Sequence, residues 1–193
     1  MSERTLLIIG AGGHGKAVAE AALLSGEWQR VAFVDDRWPA LRETFGWPVV
    51  SDLAGLAVLQ DTVAGAIAAV GNNAVREQWV KAIRAAGLPL VTVVHPLACV
   101  SSSAVIGAGT AIMALAMVGV DAIIGEATIV NANATVDHDA NLGDYAHLGV
   151  GVQLAGGVKI GTRVWLQAGC SAGYRVVVAD EMVFAPGEVL VAD

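Results

Sequence analysis

Three consecutive residues, Asp137, His138 and Asp139, set an imidazole between two carboxylates. With an unperturbed pKa near ~6.5, imidazole accepts a proton at neutral pH. A neighbouring carboxylate raises its basicity and fixes which ring nitrogen carries hydrogen. A second histidine, His147, follows within GDYAHL. Near the start of the chain, IIGAGGHGKAVAEA (residues 8–21) carries Gly10, Gly12 and Gly15 in the spacing G-x-G-x-x-G. Glycine lets a backbone approach phosphate closely, and the N-terminus of a following helix favours the anion. Asp35 ends the next apolar run, at the spacing from Gly15 where a carboxylate can reach a ribose hydroxyl. One end of the chain thus has the makings of a proton acceptor, and the other those of a nucleotide cradle.

These residues need elements to hold them. Over residues 1–94 the pattern alternates strand and helix. Strands are expected at 5–10, 30–36, 65–71 and 90–96. Helices are expected at 14–26, closed by Gly26, and at 72–87. A further segment, 51–60, starts at Ser51 as an N-cap. Such alternation predicts a parallel sheet covered by helices. It is too short for the two-half dinucleotide fold.

From residue 95 the grammar changes to sixes. Residues 95–190 divide into 16 unbroken hexads, and the sixth position is Val, Ile, Leu or Phe in 15 of them, Ala172 being the exception. None of these four types occupies the first position. A period of six suits a chain coiling around a triangular core, with three hexads to a coil, the sixth position inward and glycine at the first easing the turn. The expected architecture is a parallel β-helix of about five coils. A β-sandwich would instead need strands of varied length with turns at irregular spacing. Ala172 interrupts the aliphatic row, so the last coils are expected to pack loosely.

Composition removes several functions. Mean hydropathy is +0.63, but the most apolar stretch, 111–130, contains Asp121 and Glu126. A spanning helix needs ~20 predominantly apolar residues, so no membrane span is expected. The opening MSERTLLIIG lacks the pattern of a signal peptide. Residues 95–193 carry 3 basic and 9 acidic side chains within a net charge of −7, which repels polyanions and argues against nucleic-acid binding. Two cysteines, Cys99 and Cys170, make no disulfide framework and fit a reducing, cytoplasmic setting.

The combination of GAGGHGK (10–16), VDD (34–36), VGNN (70–73), HP (95–96) and VDHDANLGDYAHLGVGVQLAGGVKIG (136–161) resembles the NeuD/PglD-type sugar-nucleotide acetyltransferases of the hexapeptide-repeat superfamily. The resemblance covers nearly the whole chain. It implies a Rossmann-like α/β domain over 1–94 that binds a nucleotide-linked amino sugar. It implies a left-handed parallel β-helix over 95–193 that binds acetyl-CoA as cosubstrate. It also implies a homotrimer with the active site between subunits, acting as an N-acetyltransferase on a sugar 4-amino group, with no metal.

By this resemblance His138 is the general base and Asp139 its partner, where the family often has glutamate. Gly12, Gly13, His14, Asp35, Asp36 and Gly71 would touch the sugar nucleotide, and Asn131 the sugar. His147 would contact the acetyl-CoA side. A backbone N–H at Gly156 would stabilise the thioester oxyanion. Ala168 and Pro186 would line the coenzyme channel. His95 reads as structural. Relatives usually continue past the last coil into a tail with a GVPA motif, whereas this chain ends APGEVLVAD.

Other readings stay open at this point. They are O-acetylation of sialic acid, a non-catalytic scaffold, an NAD-dependent oxidoreductase resting on the glycine loop alone, and a zinc hydrase resembling the gamma-class carbonic anhydrases. The last would require His95, His138 and His147 to converge.

Overall fold

In a computed structural model, residues 4–192 are described; Met1–Glu3 and Asp193, the last residue of the C-terminal stretch above, lie outside them. The first strand, β1 (Thr5–Ile9), runs parallel between β2 (Arg30–Val34) and β5 (Gly65–Ala68). Its side chains from Leu6 to Ile9 are fully buried, because helices and loops cover both faces of the sheet. Helix α1 (Gly13–Ser25) starts from Gly12 and ends at Gly26, whose φ of 75° is the left-handed conformation glycine adopts without a Cβ clash. Helix α2 (Asn73–Ala85) is capped by Asn72, whose side chain accepts the Val75 N–H at 3.0 Å.

Two sequence expectations change here. Ser51 does not cap a helix but ends a strand, β4 (Trp47–Ser51), which forms a hairpin with β3 (Glu43–Thr44) and pairs parallel with β2. The cap is Asp52, whose side chain accepts from Gly55 N at the start of a 3-10 helix, Leu53–Leu59. The segment 90–96 also divides. Leu90 makes a single bridge to Ala66, while Val93–Val94 pairs with Ala111–Ile112 and joins the second architecture. A run of valines carries no information about which sheet edge it will meet.

From Val93 onward the chain winds through three parallel sheets of six, six and five strands. Each hexad supplies one two-residue strand and one corner. The first face contains Ile129–Val130, His147–Leu148 and Trp165–Leu166; the second Thr135–Val136 and Gln153–Leu154; the third Asn141–Leu142 and Lys159–Ile160. Each strand pairs with the strand one coil further on, as His147 does with Trp165. The sixth-position side chains point inward, and from Ile112 to Val178 all are buried, Ala172 included at 4% exposure. That alanine does not open the core, since Cys170 and Val176 fill the space beside it. The looser packing falls one coil later, at half-buried Phe184 and Leu190.

Glycine at the first hexad position serves spacing rather than turning. A Cβ at Gly119 would lie 2.8 Å from His138 N, and one at Gly143 only 2.5 Å from Thr162 N. The corner itself is made by the third position, which has positive φ from Gly109 through Gly187, Asp121, Asp139 and Arg163 among them. At these two glycines the adjacent coil approaches too closely for a Cβ.

The two parts pack against each other. Helix α2 lies along the corner between the third and first faces. Asn73 Nδ2 donates to the carbonyls of Arg163 and Val164, Arg84 pairs with Glu126, and Arg163 donates to Glu77 at 2.8 Å.

Candidate active site

His138 occupies the corner between the second and third faces. Asp139 follows at φ 58°, a left-handed conformation that aspartate tolerates better than most residues. This backbone turns the carboxylate back onto the ring, and His138 Nδ1 meets Asp139 Oδ2 at 2.7 Å. A carboxylate only accepts, so hydrogen sits on Nδ1 and Nε2 keeps its lone pair. The bond from Asp139, helped by the charge of Asp137, raises the His138 pKa above its ordinary value. Asp137 Oδ1 also accepts the His138 N–H at 2.7 Å. The two flanking aspartates thus divide the work, one holding the ring and the other the backbone.

Gly156 stands one coil along the same corner. A Cβ there would lie 2.5 Å from His138 Nε2, so the free nitrogen sits directly over this glycine. Gly156 is buried, and among the described residues its N–H has no acceptor, although its neighbour Gly157 N donates to His138 O at 2.9 Å. A buried, unspent N–H beside a lone pair can hold negative charge while the lone pair takes a proton.

The remaining candidates fall in two other places. Asn131, Ala168 and Pro186 lie on the corner between the first and second faces, where Asn131 Oδ1 is engaged locally by Ala132 N at 2.8 Å. Gly12, Gly13 and His14 form the first turn of α1. His147 does not share a surface with His138. It projects outward from the first face into the α/β part, where its Nδ1 donates to Gly71 O at 3.0 Å and its ring stacks on Trp165 with centroids 5.6 Å apart. Burial, then the charge of Arg76, lowers its pKa to about 4. His14 is lowered to about 3 by burial, with His147 and Arg76 adding to it, and its Nε2 is buried without a hydrogen-bond partner. Both imidazoles are neutral at physiological pH.

Asp35 has little left to offer a ribose. Its Oδ2 accepts Ala11 N at 2.8 Å, and Arg37 clamps both oxygens at 2.6 and 2.9 Å, holding the carboxyl at about 2. Asp35 therefore fixes the glycine loop, while Asp36 stays exposed beside it. A groove of about 500 Å³, lined by Asn72, Asn73, Glu77, Lys81, Arg163 and Trp165, is linked to His147 through the Trp165 ring. Sequence reasoning misses Trp165 and Arg76. The readable signal for Arg76 is its place on the apolar stripe of α2 with Val80 and Ile83.

His95 is buried and accepts Leu97 N through Nδ1 at 3.0 Å, a local turn contact. It sits on the corner between the first and second faces, His138 on the next corner and His147 on a face, so the three histidines do not converge. Among the described residues no group of three or more His, Cys, Asp or Glu is placed to hold a metal ion. No helix there is long and apolar enough to cross a membrane.

A family model for the PglD N-terminal domain matches residues 5–83. A UDP-N-acetylbacillosamine N-acetyltransferase of Bacillus subtilis (strain 168) is 34% identical over 116 residues, 58% of this chain and 52% of that protein, so the match spans about half of that curated relative. PerB from Caulobacter crescentus, solved in complex with CoA and GDP-perosamine, is 36% identical with a TM-score of 0.92 over 98% of this chain and 89% of that one. The acetyltransferase domain of PglB from Neisseria gonorrhoeae FA1090, solved with acetyl coenzyme A, is 34% identical with a TM-score of 0.92 over 98% and 94%. The solenoid is thus the left-handed β-helix of these structures. Sequence identity across both architectures, together with the shared fold, makes this chain a member of the PglD-type acetyltransferases of the hexapeptide-repeat superfamily.

Proposed function

We propose that this protein transfers the acetyl group of acetyl-CoA to the 4-amino group of a nucleotide-linked amino sugar. The observation that carries the reading is the His138–Asp139 pair, with a free Nε2 directly over the buried Gly156. In this reading residues 1–94 bind the sugar nucleotide through Gly12, Gly13, His14, Asp36 and Gly71, with Asp35 shaping the loop. Residues 95–193 bind acetyl-CoA, with Ala168 and Pro186 lining its approach and Asn131 contacting the sugar. The cofactor supplies an acetyl thioester. His138 Nε2 accepts the amine proton as the N–C bond forms and the C–S bond breaks. The Gly156 N–H faces the carbonyl oxygen as it gains charge. CoA leaves as the thiolate. His147 belongs with the sugar-nucleotide side, since it bonds to Gly71.

Supporting the reading, PerB was crystallised with CoA and GDP-perosamine, and the PglB domain with acetyl coenzyme A. In this reading the protein is a homotrimer with the active site between neighbouring subunits. His147 and the glycine loop stand at the first face, and His138 on the corner opposite, with the buried core between. An amine held at one chain's loop therefore meets the base of a second chain. Free thiols at Cys99 and Cys170 support a cytoplasmic protein.

The test is thiol release from acetyl-CoA with UDP-, GDP- and dTDP-linked 4-amino sugars beside sialic acid. Turnover with one amino-sugar nucleotide is expected. Turnover with sialic acid alone would move the assignment to O-acetylation, and silence from folded protein across the panel would overturn both.

Gly156→Ala gives a separate check on the site. The added Cβ would strike His138 Nε2, but that side chain is 48% exposed and can swing outward. Stability is expected to stay within about 1 kcal/mol, while kcat falls by about 10²-fold. Unfolding curves and rates from one preparation measure both; unaltered kcat would remove Gly156 from the reaction.

A further inference from the structure

Arg76 is fully buried and has no carboxylate partner among the described residues. Its guanidinium is instead surrounded by oxygens from three parts of the chain. Nη1 donates to the carbonyls of Val70 at 2.9 Å and Gly71 at 3.3 Å. Nε donates to Ala127 O at 2.7 Å. Nη2 donates to Tyr145 O at 2.5 Å, Asn73 Oδ1 at 2.8 Å and Ala146 O at 3.3 Å. The first two carbonyls belong to the turn between β5 and α2. Those of Ala127, Tyr145 and Ala146 belong to two successive coils of the β-helix. Burying an ionised group is costly unless every donor is met, and burial does lower this arginine to about 9. A helix needing only apolar contact with the solenoid would use a leucine there.

The turn that Arg76 grips is the one His147 depends on. Gly71 O accepts the Nδ1–H of His147, and a Cβ at Gly71 would lie 3.3 Å from His147 Cε1, so turn and ring are in contact. His147 is thereby held between Gly71 and Trp165.

We infer that Arg76 is a positioning residue, whose fork of hydrogen bonds locks the Gly71 turn onto the β-helix and so fixes His147 in its Nδ1–H form on the wall of the sugar-nucleotide site. The planar five-donor fork matters as much as the charge, because lysine cannot reach carbonyls on both sides of the junction. The consequence for catalysis rests on the proposed function; the lock on His147 does not.

The experiment follows the histidine tautomers by long-range ¹H–¹⁵N spectra of the full-length protein labelled in histidine, with His147→Gln to assign the signal. Wild-type His147 is expected as the Nδ1–H tautomer alone. In Arg76→Gln and Arg76→Lys, each shown folded by circular dichroism, it is expected to relax to a mixture dominated by Nε2–H. If Arg76→Gln does not fold, Arg76→Lys, which keeps charge and length, decides the matter. An unaltered His147 tautomer in either folded variant would overturn the inference. In the acetylation assay both variants should raise the KM for the sugar nucleotide by about tenfold or more and leave the KM for acetyl-CoA within about twofold. Equal rises in both would point to general loosening and count against the inference. Wild-type inactivity on every sugar nucleotide would sink the proposed function and leave the tautomer result standing.

Discussion

With His138 replaced by alanine, kcat is expected to fall by ~10²–10⁴ in a chain that folds and assembles as before. The imidazole is half-exposed on a corner, outside the aliphatic row, so its removal opens no cavity in the core. Thiol-release kinetics beside a light-scattering mass measure the two halves of this statement. A fall below about tenfold would take His138 out of the base role. The pH profile gives an independent reading. The base works unprotonated, and Asp139 raises the His138 pKa above 6.5. The rate should therefore climb through an acid limb lying above 6.5. Asp139→Asn removes the largest cause of that rise, so the limb should move to lower pH. The plateau should also fall, because an amide no longer enforces the Nδ1–H tautomer. A limb that stays in place would mean that another group titrates.

Gly15→Ala is expected to be the most damaging single change in the α/β part. A Cβ there would lie 1.9 Å from Gly10 O and 3.3 Å from the Phe33 ring. The first of these is backbone, and Gly10 is itself fixed by its N–H to Val34 O at 2.7 Å. Helix α1 must then pull away from β1, and the fully buried Val18, Ala19 and Ala22 lose their packing. A loss of about 3 kcal/mol is expected, at the upper end of overpacking costs, with sugar-nucleotide binding abolished. Gly12→Ala and Gly13→Ala are the controls, because nothing lies within 4 Å of a Cβ at either position. They should retain full stability and weaken only nucleotide binding. Urea unfolding and calorimetric titration of the three variants separate the roles. A Gly15→Ala protein as stable as wild type would show that the loop does not need this contact.

How far the sequence can be read depends on whether a side chain's partner is set by period or by topology. The hexad repeat fixes direction by itself. Knowing that Leu142 is a sixth position is enough to know that it points inward, and the same register puts His138 over Gly156. The positions missed are those whose partner comes from elsewhere. His147 is a fifth position and must point outward, but sequence cannot say that the outward side of that face is covered by α2 and the Gly71 turn. Its contact with Gly71 therefore goes unread in the sequence. Asp35 reads as a free carboxylate because Arg37, two residues on, gives no sign of folding back onto it. Val93 and Val94 look the same in either sheet. The first-position glycines read as turn formers, although their requirement comes from the neighbouring coil and not from their own backbone.

The coil register has a further consequence for how such a chain tolerates change in length. Thr135 pairs with Gln153 and Asn141 with Lys159 on either side of the corner that carries His138 and Gly156. The proton acceptor and the N–H donor are thus held one strand spacing apart, about 4.8 Å, by main-chain pairing alone. Inserting a single residue between them would carry Gly156 out of its column and reverse the inward and outward faces of every strand that follows. Inserting one whole coil after Val176 would leave the pair untouched. The lineage of such a chain can lengthen its solenoid in whole coils while the proton acceptor and its neighbouring glycine stay where they are.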